Sequence, residues 1–167
     1  MQSAHIMMAL AVALVAGDDP GGWSKAKWGM TEEEVIKAFD GQVKRIEAAE
    51  PGQRPRVGIE ALDVAGMKLT VSMGFGADGK LRAVLFEPVN LSDASNDMFQ
   101  RLENLLVEKY GRPWKSSEGT STGSTEMQWS FATTVITLSR DWLGVAGVTP
   151  RVMVVTLIYR QRVGNPL

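Results

Sequence analysis

Residues 68–75 read Lys-Leu-Thr-Val-Ser-Met-Gly-Phe, and this alternation constrains the chain more than any other feature. Leu69, Val71, Met73 and Phe75 fall on one side of an extended chain, with Lys68, Thr70, Ser72 and Gly74 on the other, so the segment is a strand with one buried face. Such a strand needs paired neighbours. Val57–Val64 precedes it across Ala65-Gly66, and Leu81–Phe86 follows across Ala77-Asp78-Gly79, where Asp-Gly supplies the positive φ of a hairpin turn. The three runs make an antiparallel meander.

Upstream, Thr31-Glu32-Glu33-Glu34 reads as a capping box, and three acids suit the positive end of a helix. Val35, Ile36 and Phe39 form its inward face and Asp40-Gly41 its stop, which predicts a helix of about three turns. A strand over 42–47 is preferred to a continued helix, which would hold Gly41 internally at a cost of about 1 kcal/mol. Pro51-Gly52 and Pro55 place a loop over 48–56.

The second half repeats this grammar. Caps are available over Ser92–Asn96, then Phe99, Leu102, Leu105, Leu106 and Tyr110 recur at helical spacing until Gly111-Arg112-Pro113. The Ser/Thr/Gly-rich stretch 116–125 reads as a loop. Met127, Trp129 and Phe131 alternate, as do Thr134, Ile136 and Leu138. Arg151–Arg160 is apolar on both faces and belongs in the middle of a sheet. The expected fold is α+β: an antiparallel sheet of about six strands with two helices, in two successive α-β-β-β units. The halves share an order of elements, not residue identity.

At 167 residues the chain fits one domain with a core of its own. The apolar run Ile6–Ala16 is too short to cross a bilayer, which takes about 20 residues, but matches a signal-peptide core. Small residues at Ala13, Ala16 and Gly17 permit cleavage, favoured near Ala16 or Gly17. Residues 1–5 lack the Lys or Arg expected ahead of such a core, and a buried N-terminal element is the competing reading. The boundaries expected are a signal peptide over 1–17, a linker over 18–27, a single α+β domain over 28–162 and a tail over 163–167. The mature chain is then periplasmic or secreted, and soluble. With no cysteine after the apolar run there is no attachment point for a lipid, so no stable membrane anchor is expected.

The sole histidine, His5, lies inside the leader, and the chain has no cysteine. Histidine-assisted nucleophiles, thiolate chemistry, and His or Cys metal sites are therefore outside the inventory of the mature chain. A net charge of −1 gives no general attraction to nucleic acid.

Several motifs invite functional readings. Residues 74–80 satisfy G-x-G-x-x-G and nearly satisfy a phosphate loop, but a strand follows where phosphate binding needs a helix N-terminus, so a hairpin turn is the better reading. Ser24-Lys25-Ala26-Lys27 contains S-x-x-K without its helix or companion motifs. Glu32–Glu34 belong to the cap, Asp93 and Asp97 to a helix start, and alternation sends Glu60 and Asp63 to opposite faces, so no carboxylate pair faces across a cleft. No catalytic, cofactor-binding or metal-ligating residues are singled out. Trp28 and Trp114 are expected to pack on the core at helix ends, and Trp129 to point into the sheet. Arg45, Arg54, Arg56, Arg151, Arg160 and Arg162 read as solvated side chains. Trp142, Leu143 and Val145 sit in an apolar stretch, 141–149, read as a loop between strands. Exposed, it is a candidate partner-contact surface; folded back, it covers a sheet edge.

The sequence Trp28-Gly29-Met30-Thr31 leading into a helix, a Gly-bounded hairpin, a helix ending Lys109-Tyr110-Gly111-Arg112-Pro113, then Trp129 and a final strand ending Leu157-Ile158-Tyr159, resembles a group of uncharacterised small exported bacterial proteins. The layout is also similar to the tandem helix-and-hairpin domains of β-lactamase inhibitor proteins and of outer-membrane assembly lipoproteins of the SmpA/OmlA type. The chain departs from the lipoproteins by lacking their lipidated cysteine and from the inhibitors by lacking their paired cysteines. The resemblance implies a binding or scaffolding domain and carries over no catalytic residue. The first expectation is thus an exported, non-enzymatic domain that binds a protein or envelope component through the 116–125 and 141–149 segments. The second is a carrier of a small apolar ligand held between sheet and helices, and the third a carboxylate-dependent hydrolase. A cavity between sheet and helices favours the carrier, a flat patch around Trp142 the binding domain.

Overall fold

The computed structural model describes residues 18–47, 56–118, 123–144 and 152–163. The expected leader, residues 48–55 of the expected loop and residues 145–151 lie outside them. Residues 18–27, expected as a linker, fold onto the domain as a two-stranded ribbon, β1 (Gly22–Trp23) and β2 (Ala26–Lys27). Trp23 and Ala26 are buried, and burial of a large aromatic is what holds so short a ribbon down. Gly22, at φ +148, lets the ribbon close: a Cβ there would lie 2.0 Å from the Ala26 carbonyl oxygen.

Helix α1 (Glu32–Ala38) starts with the expected capping box. The Thr31 hydroxyl accepts from the Glu34 amide at 3.3 Å, and the Glu34 carboxylate accepts from the Thr31 amide at 2.7 Å. The helix has 7 residues, about two turns and not three. Asp40 and Gly41, at φ 50 and 80, leave helical geometry at once. The chain then runs through β3 (Lys44–Ile46), β4 (Arg56–Val64), β5 (Met67–Phe75) and β6 (Leu81–Pro88). Helix α2 (Asn96–Tyr110) follows, capped by the Ser95 hydroxyl and ended at Gly111. Last come β7 (Lys115–Glu118), β8 (Thr125–Ser130), β9 (Thr134–Leu143) and β10 (Val152–Gln161).

Eight strands form one antiparallel sheet in the order β3-β4-β5-β6-β10-β9-β8-β7. Each unit is a helix followed by four strands, and the two units meet last strand to last strand, with Leu157 opposite Phe86 and Tyr159 opposite Val84. The order is two-fold symmetric about this seam. The expectation of about six strands and of α-β-β-β units is corrected by the short edge strands, chiefly β7. Its Lys-Ser-Ser-Glu sequence has no apolar alternation because an edge strand gains its place from backbone pairing with β8. Both edges are short and begin with lysine, Lys44 and Lys115, which discourages pairing with another sheet.

Both helices lie on the face bearing Leu69, Val71, Phe86, Leu138 and Leu157. Phe39 behind α1 stacks on Trp23 at 5.7 Å, Trp23 meets Phe86 edge-on at 5.0 Å, and Tyr110 of α2 meets Tyr159 at 6.5 Å. Helical width cannot cover this sheet. Eight strands span roughly 34 Å between outer axes, whereas two helices of about 10 Å diameter cover little more than half of that.

Candidate functional site

The uncovered width leaves an apolar cleft of about 240 Å³ between α2 and the sheet from the end of β4 across the β6–β10 seam. Helix α2 supplies Leu102, Leu105 and Leu106, which fall on one stripe by their three- and four-residue spacing, with Lys109 one turn further on. The sheet floor is Leu69, Phe86, Leu157 and Tyr159, drawn from the neighbouring strands β5, β6 and β10. The end of β4 contributes Leu62, Asp63 and Val64, then Ala65 from the turn, and the ribbon contributes Trp23 and Ser24. Apart from Ser24, Asp63 and Lys109 this lining is aliphatic or aromatic. Tyr159 is buried, and burial, with the neighbouring Tyr110 hydroxyl acting in the same direction, holds its phenol well above the usual range. It is a neutral wall, not an acid–base group.

A bulge in β4 shapes one rim. Ile59 pairs with Val71 but Leu62 pairs with Leu69, so one extra residue lies between them. Leu62 is thereby returned to the cleft face. Glu60 and Asp63, assigned to opposite faces by strict alternation, instead both flank the Lys68–Thr70 side. Each is in an ion pair, Glu60 with Lys44 at 2.9 Å and Asp63 with Lys68 at 2.8 Å. The Asp63 carboxylate also accepts from the Gly66 amide at 2.9 Å.

The residues expected at a partner contact are only partly brought together. Trp142 and Leu143 are strand residues of β9, not loop residues, paired with Met153 and Val152. The pairing persists because Val152–Val154 provides a partner backbone for Asp141–Leu143, which the sequence alone cannot reveal. Trp142, 39% exposed, shares a face with Arg140 and Leu138, while Leu143 (59%) and Val152 (44%) sit together on the opposite face. This is an apolar hairpin end exposed on both sides, not one flat patch. Val145 lies outside the described residues, and β7 and β8 occupy the ends of the segment read as a 116–125 loop.

The other motifs resolve plainly. The 74–80 segment is the β5–β6 hairpin turn, closed by Gly76 N–H donating to Lys80 O at 2.9 Å. Ser24 and Lys27 lie on the ribbon, where the Lys27 ammonium donates to the Pro20 carbonyl at 3.2 Å. Arg45 pairs with Glu32 and Glu33, and Arg162 donates to the Phe131 carbonyl at 3.1 Å. Trp129 is buried as expected, but Trp114 is 75% exposed. It stands at the mouth of edge strand β7, where, among the described residues, no further strand lies alongside it. Sequence reading also passed over Arg140, whose guanidinium lies over Phe99 and donates to Asn96 Oδ1 and Thr125 Oγ1, each at 2.7 Å, fastening α2 to β9. Among the described residues no group of three or more His, Cys, Asp or Glu is placed to hold a metal ion, and no helix is long and apolar enough to cross a membrane.

No protein-family model matches the chain, and no curated protein matches it. Among solved structures, it is similar to the crystal structure of a DUF4309 family protein (YjgB) from Bacillus subtilis subsp. subtilis str. 168. The identity is 10%, over 79% of this chain and 78% of that chain, with a TM-score of 0.41. No family follows from these comparisons, and the functional reading rests on the geometry.

Proposed function

We propose that this chain is a non-enzymatic binding domain that carries a small apolar molecule in the cleft between α2 and the sheet, acting in the periplasm or outside the cell. The observation that carries the reading is the cleft itself: about 240 Å³ with walls that are almost entirely aliphatic and aromatic. Such walls favour a hydrophobic occupant at about 25 cal/mol per Å² of apolar surface removed from water. The non-enzymatic part is supported by the carboxylates, because those the sequence brought forward are engaged in caps, hydrogen bonds or ion pairs, such as Asp93 with Asn90 and Asp97 with Arg101.

The test uses N-phenyl-1-naphthylamine, a neutral probe that fluoresces in apolar surroundings, with wild type and Leu105→Trp, which fills the cleft from the helix side. Saturable binding to wild type that Leu105→Trp abolishes supports the carrier. Equal probe response in both proteins overturns it.

A second reading, binding to a protein or envelope component, is favoured by one observation: the exposed apolar end of the β9–β10 hairpin at Trp142, Leu143 and Val152. A pull-down from envelope extract with wild type and Trp142→Ala tests it, and equal recovery of partners by the two proteins contradicts it.

A further inference from the structure

The rim of the cleft is electrically lopsided. Lys109 follows Leu105 by one helical turn, so it rises from the same stripe of α2 that walls the cleft. Its ammonium stands 5.0 Å from the centroid of the Tyr110 ring, and among the described residues it has no ion-pair partner. Across the opening, Asp63 is already compensated by Lys68 and by the Gly66 amide. The negative end of α2 is also partly satisfied, since the Gly111 carbonyl accepts from the Trp129 indole at 2.8 Å. Among the described residues the mouth therefore offers one charge without an ion-pair partner, and it is positive.

We infer that the occupant is a single-chain anionic amphiphile, its alkyl chain lying between α2 and the sheet and its head group at Lys109. This rests on the carrier reading above and adds the class of ligand. Size argues for one chain: about 240 Å³ falls just below the roughly 300–1,000 Å³ typical of sites for drug-sized ligands. Charge argues for an anion, because an ammonium whose stem lies along apolar surface interacts more strongly with an opposite charge than one in bulk water. A free carboxylic acid and a single-chain phospholipid share this chemistry.

Isothermal titration calorimetry of the full chain separates the possibilities, using decanoate, decanoyl-lysophosphatidylglycerol, 1-decanol and decyltrimethylammonium below their aggregation thresholds. Wild type should prefer at least one anion over 1-decanol by about fivefold, the scale of a partly exposed ion pair, and bind the cation most weakly. The tighter anion names the source of the head group. Lys109→Met should erase that preference and Lys109→Arg should retain it. If 1-decanol binds but no anion exceeds it, or Lys109→Met keeps the preference, the anionic head is wrong while the carrier stands. If none of the four binds, both are wrong.

Discussion

The indole Nε1 of Trp28 donates a hydrogen bond of 2.9 Å to Thr134 Oγ1, joining residues 106 positions apart. Thr134 is fully buried, and its hydroxyl also serves the Asp19 carboxylate. A single hydroxyl thus ties the N-terminal ribbon to the start of β9. Thr134→Val keeps the shape but leaves the indole N–H unpaired, and should destabilise the fold by about 1–3 kcal/mol. Trp28→Phe should cost less when combined with Thr134→Val than alone, because both changes break the same bond. Urea unfolding of the two single variants and the double variant checks this; strict additivity contradicts it.

Asp19 makes the same clasp sensitive to acid. Burial raises its carboxyl, but the amide of Gly21, the hydroxyl of Thr134 and the groups of Thr133 outweigh burial and hold it below the ordinary value. A depressed folded pKa contributes stability that is complete above the unfolded carboxylate value and is lost as pH falls through the folded one. Amide-exchange protection factors at residues 21–28, which divide out the intrinsic slowing of exchange in acid, should fall on acidification through that window, and Asp19→Asn should flatten the response. An unchanged profile in Asp19→Asn contradicts the clasp.

Tyr159 has the opposite sign. Its raised phenol contributes stability that is complete below the unfolded value of about 10 and is lost as pH rises above it. Tyr159→Phe should therefore lose less stability than wild type between neutral and strongly alkaline pH, as measured by thermal unfolding. A parallel decline in both proteins contradicts this.

Sequence reading reached the caps, the turns and the six long strands because those signals are local: Thr31 with Glu34, the run of possible caps over Ser92–Asn96 of which the structure uses Ser95, Gly111, and the alternation around Leu69. It missed β7 because an edge strand of Lys-Ser-Ser-Glu carries no burial pattern. It placed Trp142 in a loop because Asp141-Trp142-Leu143-Gly144 does not alternate, although Val152–Val154 holds that backbone in the sheet. Glu60 and Asp63 were misassigned because one bulged residue reverses every later side chain in β4. The cleft was legible only as an alternative. Its walls come from the ribbon, β4, β5, β6, β10 and α2, and its existence follows from the mismatch between sheet width and helix cover, which composition does not encode.

The hairpin end offers a contrast with the cleft. Leu143→Lys and Val152→Lys on the open face should leave thermal stability within about 0.5 kcal/mol of wild type, because both side chains are already largely exposed. If this end docks on a partner, the pair of changes should abolish capture while leaving the cleft's probe binding intact. Thermal unfolding and a paired pull-down check both statements.

The central claim, that the cleft under α2 is the binding site, is tested most directly by methyl NMR of the full chain titrated with 1-decanol. The methyl groups of Leu62, Leu105, Leu106 and Leu157 should shift in a saturable, one-site manner, with Leu143 and Val152 unaffected. Shifts confined to Leu143 and Val152, or none at the cleft leucines at saturating 1-decanol, would contradict the account.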